Sequence, residues 1–127
     1  MKIALSAAET SGDLIASSLI VALKQNQPNC EIDGLAGDKM VEAGCNRLWN
    51  MNEVNVMGFS EVVRKLPSIL KLRRKITRHY ISKKPDVFIG VDSPDFNFKV
   101  EQTLKKKGVK TIHFISPSVW AWRPKRV

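Results

Sequence analysis

Short apolar runs alternate along this chain with longer stretches whose apolar residues recur at helical spacing, which predicts strands alternating with helices. Ile3 to Ala8 reads as a first strand, followed by a helix from about Gly12 to Gln25 whose apolar face is Leu14, Ile15, Ile20 and Leu23. Glu31 to Ala36 is a second strand, Asp38 to Ala43 a short helix with Gly44 as its C′ residue, and Arg47 to Met51 a weaker strand. Phe59 to Lys83 is helical in pattern, with a break expected at Pro67 because proline removes a backbone donor and crowds the preceding turn. Asp86 to Val91 is strand four. A helix from about Phe96 to Lys107 ends at Gly108, and Val109 to Ile115 is strand five. The order implies βαβ units, hence an α/β fold with a mainly parallel sheet and flanking helices.

The 127 residues make one domain, long enough to bury roughly two-thirds of its unfolded surface. No apolar run approaches the ~20 residues that span a bilayer, and Met1 to Leu5 lacks the core of a signal peptide. A cytoplasmic location is therefore expected. Cys30 and Cys45 have no metal-ligand spacing and are read as reduced, structural residues; no metal site is expected.

The net charge of +9 is unevenly spread. Nine Lys/Arg and no acid fall between Val62 and Lys84, and seven more bases without an acid between Lys105 and Arg126. Two basic stretches on an otherwise acidic chain imply contact with something anionic, unless they simply form a solvated surface. In the first stretch Ile69, Leu72, Ile76 and Tyr80 share one helical face and can meet the core. Val62, Val63, Leu66 and Leu70 then have no burial site, and Arg64, Lys65, Lys71, Arg73 and Arg74 surround them. That combination suits either an interfacial membrane contact or packing against another domain. Trp120 and Trp122 beside Arg123, Lys125 and Arg126 could stack nucleic acid bases, but no RNA-binding motif accompanies them and nucleic acid is disfavoured. Two tryptophans in a basic tail are an unusual domain end, so a longer protein is expected.

Two loops carry candidate chemistry. Phe88 to Asn97 ends an apolar run in Asp92 and Asp95 around a Ser-Pro turn. In open parallel sheets ligands bind just beyond the carboxyl ends of strands. Asp92 closes the strand before the proline and is the stronger candidate. Asp95 directly precedes the expected helix and fits a cap, and Asn97 orients a hydroxyl or stabilises the turn. The first βα turn, Glu9-Thr-Ser-Gly-Asp13, offers an anion site at a helix start, or else Thr10 or Ser11 caps that helix. It carries neither a dinucleotide fingerprint nor a P-loop, and no acid ends strand two, which disfavours a generic dinucleotide-binding domain.

Three strings taken together resemble the lipid-A-disaccharide synthase family: Glu9 to Asp13, Lys84 to Asn97, and Thr111 to Arg123. Val54 to Arg74, with Met57 and Gly58, is similar to the family's membrane-associating region. The resemblance implies the N-terminal, acceptor-side Rossmann-like domain of a GT-B glycosyltransferase, with a C-terminal donor-binding domain absent from residues 1–127. It implies an enzyme of lipid A biosynthesis in Gram-negative bacteria, peripheral on the cytoplasmic face of the inner membrane. That enzyme joins UDP-2,3-diacylglucosamine to 2,3-diacylglucosamine 1-phosphate (lipid X), forming a β-1,6 disaccharide and UDP without metal or redox cofactor. Asp92 takes the position of the general base. Glu9, Thr10, Ser11, Gly12 and Asp13 are placed near the phosphates, and Asp95, Asn97, Ser116, Trp120 and Arg123 are further substrate-side candidates. Val62, Val63, Leu66, Leu70, Arg73 and Arg74 form the membrane contact. The competing expectation is a non-catalytic peripheral membrane or partner-binding module in which the aspartates are structural.

Overall fold

A computed structural model describes residues 1–55 and 59–115. Five parallel strands form one sheet in the order β3-β2-β1-β4-β5: β1 is Lys2–Ala7, β2 Glu31–Ala36, β3 Asn46–Asn50, β4 Val87–Val91 and β5 Thr111–Phe114. Between them run α1 (Thr10–Asn26), α2 (Asp38–Ala43), α3 (Phe59–Lys83) and α4 (Pro94–Lys106). This is the Rossmann-like α/β arrangement that the alternation predicts.

Because side chains alternate across a strand, β1 and β4 must be apolar on both faces. Ile3, Leu5, Ala7, Val87, Ile89 and Val91 pack with Ala16 and Ile20 of α1 and Met40 of α2. Ala4 and Phe88 face the other way, against Leu72, Ile76 and Tyr80 of α3 and Val100 and Leu104 of α4. Gly90 lies on that second face, where a Cβ would strike the Glu101 carboxylate and the Asn97 side chain, so glycine here admits two polar groups against the strand.

Three expectations about helix boundaries are corrected. Helix α1 starts at Thr10, not Gly12, with extended Glu9 at its N-cap, so neither Thr10 nor Ser11 is the capping residue. Helix α4 starts at Pro94 with Ser93 as its N-cap, which puts Asp95 in the first turn rather than at the cap. Proline at the first helical position loses no intrahelical bond, and the Asp95 charge complements the helix dipole. Helix α3 continues through Pro67 without a break. The turn before Pro67 lies in solvent, with Val63 and Leu66 exposed. The carbonyl that loses its N–H partner there can bond water, which lowers the cost of an interior proline.

One tie between α4 and β5 is not evident in the sequence. The Glu101 carboxylate, on a residue only 8% exposed, lies 2.8 Å from His113 Nδ1. Burial raises the Glu101 proton affinity above the ordinary glutamate value, and the His113 contact offsets this in part. A raised folded-state value means that protonation favours the folded form. That contribution is complete below the unfolded value and is lost as pH rises through the folded one. The Glu101→Gln variant keeps the volume and a hydrogen-bonding group for His113 without the charge. Denaturant melts from acid to neutral pH are expected to show the wild type losing stability relative to this variant as pH rises. A difference that stays flat would contradict the assignment.

Candidate functional site

Strands β1 and β4 are neighbours, yet the chain leaves them in opposite directions, α1 covering one face of the sheet and α4 the other. That reversal is the topological switch point, and the loops flanking it form a crevice beyond the strand ends. The Ala8-Glu9 turn follows β1 and Asp92-Ser93 follows β4, so the two candidate loops of the sequence meet at this place. The Ser93 hydroxyl donates to Glu9 Oε2 at 2.7 Å, joining them directly. Thr10 Oγ1 accepts from Asn55 Nδ2 at 3.2 Å, so the segment after β3 borders the same crevice.

Asp92 is partly exposed and sits one residue past β4 in the left-handed backbone region, at φ 51°, with Ser93 beside it at φ 41°. Consecutive non-glycine residues in this region are uncommon, each costing about 1–3 kcal/mol unless its surroundings hold it, with aspartate at the low end. The Asp92 N–H donates to the Phe114 carbonyl at 2.9 Å, and the Asp92 carbonyl accepts from Asn97 Nδ2 at 3.0 Å. The backbone that carries the Asp92 carboxylate is thus fixed from β5 and from α4.

Three sequence candidates are buried instead. Asn97 is fully buried, its amide bonded to Ser6, Val91 and Asp92, so it cannot touch a ligand in the crevice. Asp13 is 5% exposed, and its carboxylate accepts from the Lys39 and Met40 N–H groups at 3.1 and 3.0 Å. That bond satisfies the start of α2, which has no cap of its own from Gly37. Gly12 is buried as well, an added Cβ meeting Ala7 and the Val91 carbonyl at 3.4 Å. Glu9, Thr10, Ser11, Asp92 and Asp95 remain at the accessible end of the sheet. Ser116, Trp120 and Arg123 lie outside the described residues, as do Met57 and Gly58.

From this crevice a groove of about 410 Å³ runs toward α3. Glu9, Ser93 and Asp95 line its polar end, Val62, Leu66 and Leu70 its apolar wall, and Arg73 stands between them. Arg73 is half-buried and donates to the Asp95 carbonyl at 3.2 Å, whereas Arg74 is exposed. Val62, Val63, Leu66 and Leu70 are 37%, 53%, 44% and 38% exposed, so the apolar residues without a burial site in the sequence have none in the described fold. Leu72, Ile76 and Tyr80 are buried on an adjoining face farther along the helix. Among the described residues no helix is long and apolar enough to cross a membrane.

The chain's other reactive groups are held in check. Cys30 and Cys45 are buried free thiols, and burial next to Asp33 pushes Cys45 up to about 12, far from a thiolate at neutral pH. Tyr80 donates to Asp33, and burial raises its phenol beyond any physiological titration. Among the described residues no three His, Cys, Asp or Glu side chains are grouped to hold a metal ion. What the groove offers is two carboxylates, Glu9 and Asp95, with the Ser93 hydroxyl and an arginine, open to an apolar wall; Asp92, on its fixed backbone, directly precedes Ser93 at the groove's edge and does not itself line it.

Known proteins match this chain along its whole length. The family model for lipid-A-disaccharide synthetase fits residues 3–127. A lipid-A-disaccharide synthase from Pseudoalteromonas translucida is 50% identical over 127 residues, which is 100% of this chain and 33% of that protein. The synthase from Actinobacillus pleuropneumoniae serotype 5b is 53% identical over 125 residues, 98% of this chain and 32% of its own length. The one from Aliivibrio salmonicida is 47% identical over 127 residues and again 33% covered. The chain spans about a third of the length of these relatives, and it belongs to the lipid-A-disaccharide synthetase family.

Proposed function

We propose that the whole protein is a glycosyltransferase of lipid A biosynthesis that joins UDP-2,3-diacylglucosamine to lipid X. Residues 1–127 form the acceptor-side domain of its GT-B fold, and the donor-binding domain belongs to the rest of the protein. The observation that carries this reading is the groove joining the Asp92 loop to the exposed apolar and basic face of α3. An acylated sugar phosphate has the matching parts. Its sugar hydroxyls belong at the carboxylate end, and its acyl chains follow Val62, Leu66 and Leu70. Its negative charge favours the side of Arg73.

In this mechanism Asp92 accepts the proton of the acceptor 6-hydroxyl as that oxygen bonds the anomeric carbon of the donor. The bond from that carbon to UDP breaks, UDP departs with the electron pair, and the configuration inverts. Inversion requires the base and the leaving group on opposite faces of the sugar. A base at the β4 end with the donor held by a second domain across the crevice meets that requirement. Glu9 and Ser93 border the same space and are placed to orient hydroxyl groups.

Binding at the cytoplasmic face of the inner membrane follows from the same helix face. Val62, Val63, Leu66 and Leu70 enter the headgroup region while Arg74 and its basic neighbours meet anionic lipid, at ~1 kcal/mol per basic residue near the surface.

Three outcomes are expected. Asp92→Asn in the full-length enzyme should lower kcat by about 10²- to 10⁴-fold, the usual contribution of a general base, with unchanged circular dichroism; near-normal turnover would sink the assignment. Replacing Val62, Val63, Leu66 and Leu70 by serine should release the enzyme from sedimenting anionic vesicles, and undiminished sedimentation would contradict the membrane contact. Purified residues 1–127, mixed with both substrates, should give no disaccharide by mass spectrometry; a product would show that no second domain is needed.

A further inference from the structure

The strained Asp92-Ser93 pair needs something to hold it, and the strongest restraint comes from a residue that no ligand can reach. Asn97 is 0% exposed and lies in the first turns of α4, beneath the end of β4. Its Oδ1 accepts from the Ser6 hydroxyl at 2.7 Å. Its two amide hydrogens are shared among the carbonyls of Ser6, Val91 and Asp92, with Nδ2 at 3.2, 3.3 and 3.0 Å. Those three carbonyls belong to the next-to-last residue of β1, the last residue of β4 and the residue just past it. One side chain therefore links the two strands of the switch point where their loops separate.

The surrounding residues make room for this and aim it. Any Cβ at position 90 would come within 2.9 Å of the Asn97 Cβ, so Gly90 lets the amide sit against the strand. The three carbonyls only accept, so they fix the NH2 end of the amide and leave Oδ1 to accept from the Ser6 hydroxyl. From the other sides the Phe114 carbonyl holds the Asp92 N–H and Glu9 holds the Ser93 hydroxyl. Left-handed backbone at two consecutive residues persists when its surroundings over-determine it, and such strain concentrates at functional sites. A backbone rotation at Asp92 would swing its carboxylate away from any bound hydroxyl.

We propose that Asn97 is the positioning residue for Asp92, its buried amide holding the strained backbone so that the carboxylate meets the acceptor hydroxyl. This rests on Asp92 being the base. Asn97 itself makes no contact with substrate. Its effect is therefore on the chemical step and passes through Asp92 alone.

The test is a mutant cycle in the full-length enzyme with both substrates. Asn97→Ser leaves one donor where there were two, and Asn97→Asp keeps the shape and the acceptor but removes the amide donors; melting curves select whichever is folded at the assay temperature. The folded variant is expected to lose about 10²-fold in kcat, the scale of a displaced catalytic group. The KM of the acceptor should stay within about twofold, since the lost interaction is not one with bound substrate. In an Asp92→Asn background the same substitution should change the residual rate by less than about threefold, because residues acting as one unit are not additive. A folded Asn97 variant with wild-type kcat would overturn the proposal, and so would an undiminished loss in the Asp92→Asn background. Wild-type turnover in the Asp92→Asn single variant would instead remove the base assignment, and this proposal with it.

Discussion

The pairing of β1 with β4 is the constraint on which the rest of this structure depends. The register Ile3 with Val87 through Ala7 with Val91 brings both strands to the same end of the sheet. Their following helices then depart to opposite faces. A gap must open between the two loops, because neither helix can cover it. Past the exposed Lys2 that opens β1, the two strands are buried on both sides and hold one polar side chain, Ser6 beside the Asn97 amide. Chemistry is thereby pushed to the residues just past the strand ends, which here are Glu9, Asp92 and Ser93.

Burying that junction creates a second requirement. Backbone carbonyls near the ends of β1 and β4 are closed off from solvent there and must find partners inside the protein. Asn97 bonds three of them, and Asp13 does the equivalent for the N–H groups opening α2. Both residues stand beside the crevice in sequence and away from it in space. The polar interior is thus organised to support the loops, and the accessible carboxylates stay at the surface. One turn further along the same face of α4 the Glu101 and His113 side chains make a separate tie to β5.

Much of this was legible in the sequence, for identifiable reasons. Strand β4 is an unbroken apolar run and helix α2 is closed by Gly44 at φ 116°, so period and C-cap chemistry located them well. The exposed face of α3 was also readable, since Leu72, Ile76 and Tyr80 already used the core-facing stripe. Helix starts were less legible. Glu9 is an N-cap of a type that carries no start signal, whereas Ser93 with Pro94 at the first helical position does carry one, two residues ahead of the expected start. Pro67 misled because its cost depends on whether the freed carbonyl meets water, which only the packing decides. Asp13, Asn97, Glu101 and His113 could not be sorted from the surface polar residues, since each has a partner 12 to 91 positions away. A glycine in the middle of the apolar β4 run, with polar residues 7 and 11 positions later on the facing helix, is the one hint of such buried contacts.

The amphipathic helix α3 connects the crevice to a surface, since its exposed apolar residues form one wall of the groove beside the Asp92 loop. Under the proposed function, a substrate that is both sugar and lipid would remain in the membrane while its hydroxyl reaches the carboxylate. The central claim is that this carboxylate takes the proton. Its most direct test is the structure of the full-length enzyme with the acceptor lipid bound. The account predicts the 6-hydroxyl oxygen about 2.6–3.2 Å from an Asp92 carboxylate oxygen, within direct proton-transfer reach. A 6-hydroxyl bound instead to Glu9 or Asp95, with Asp92 turned away, would contradict it.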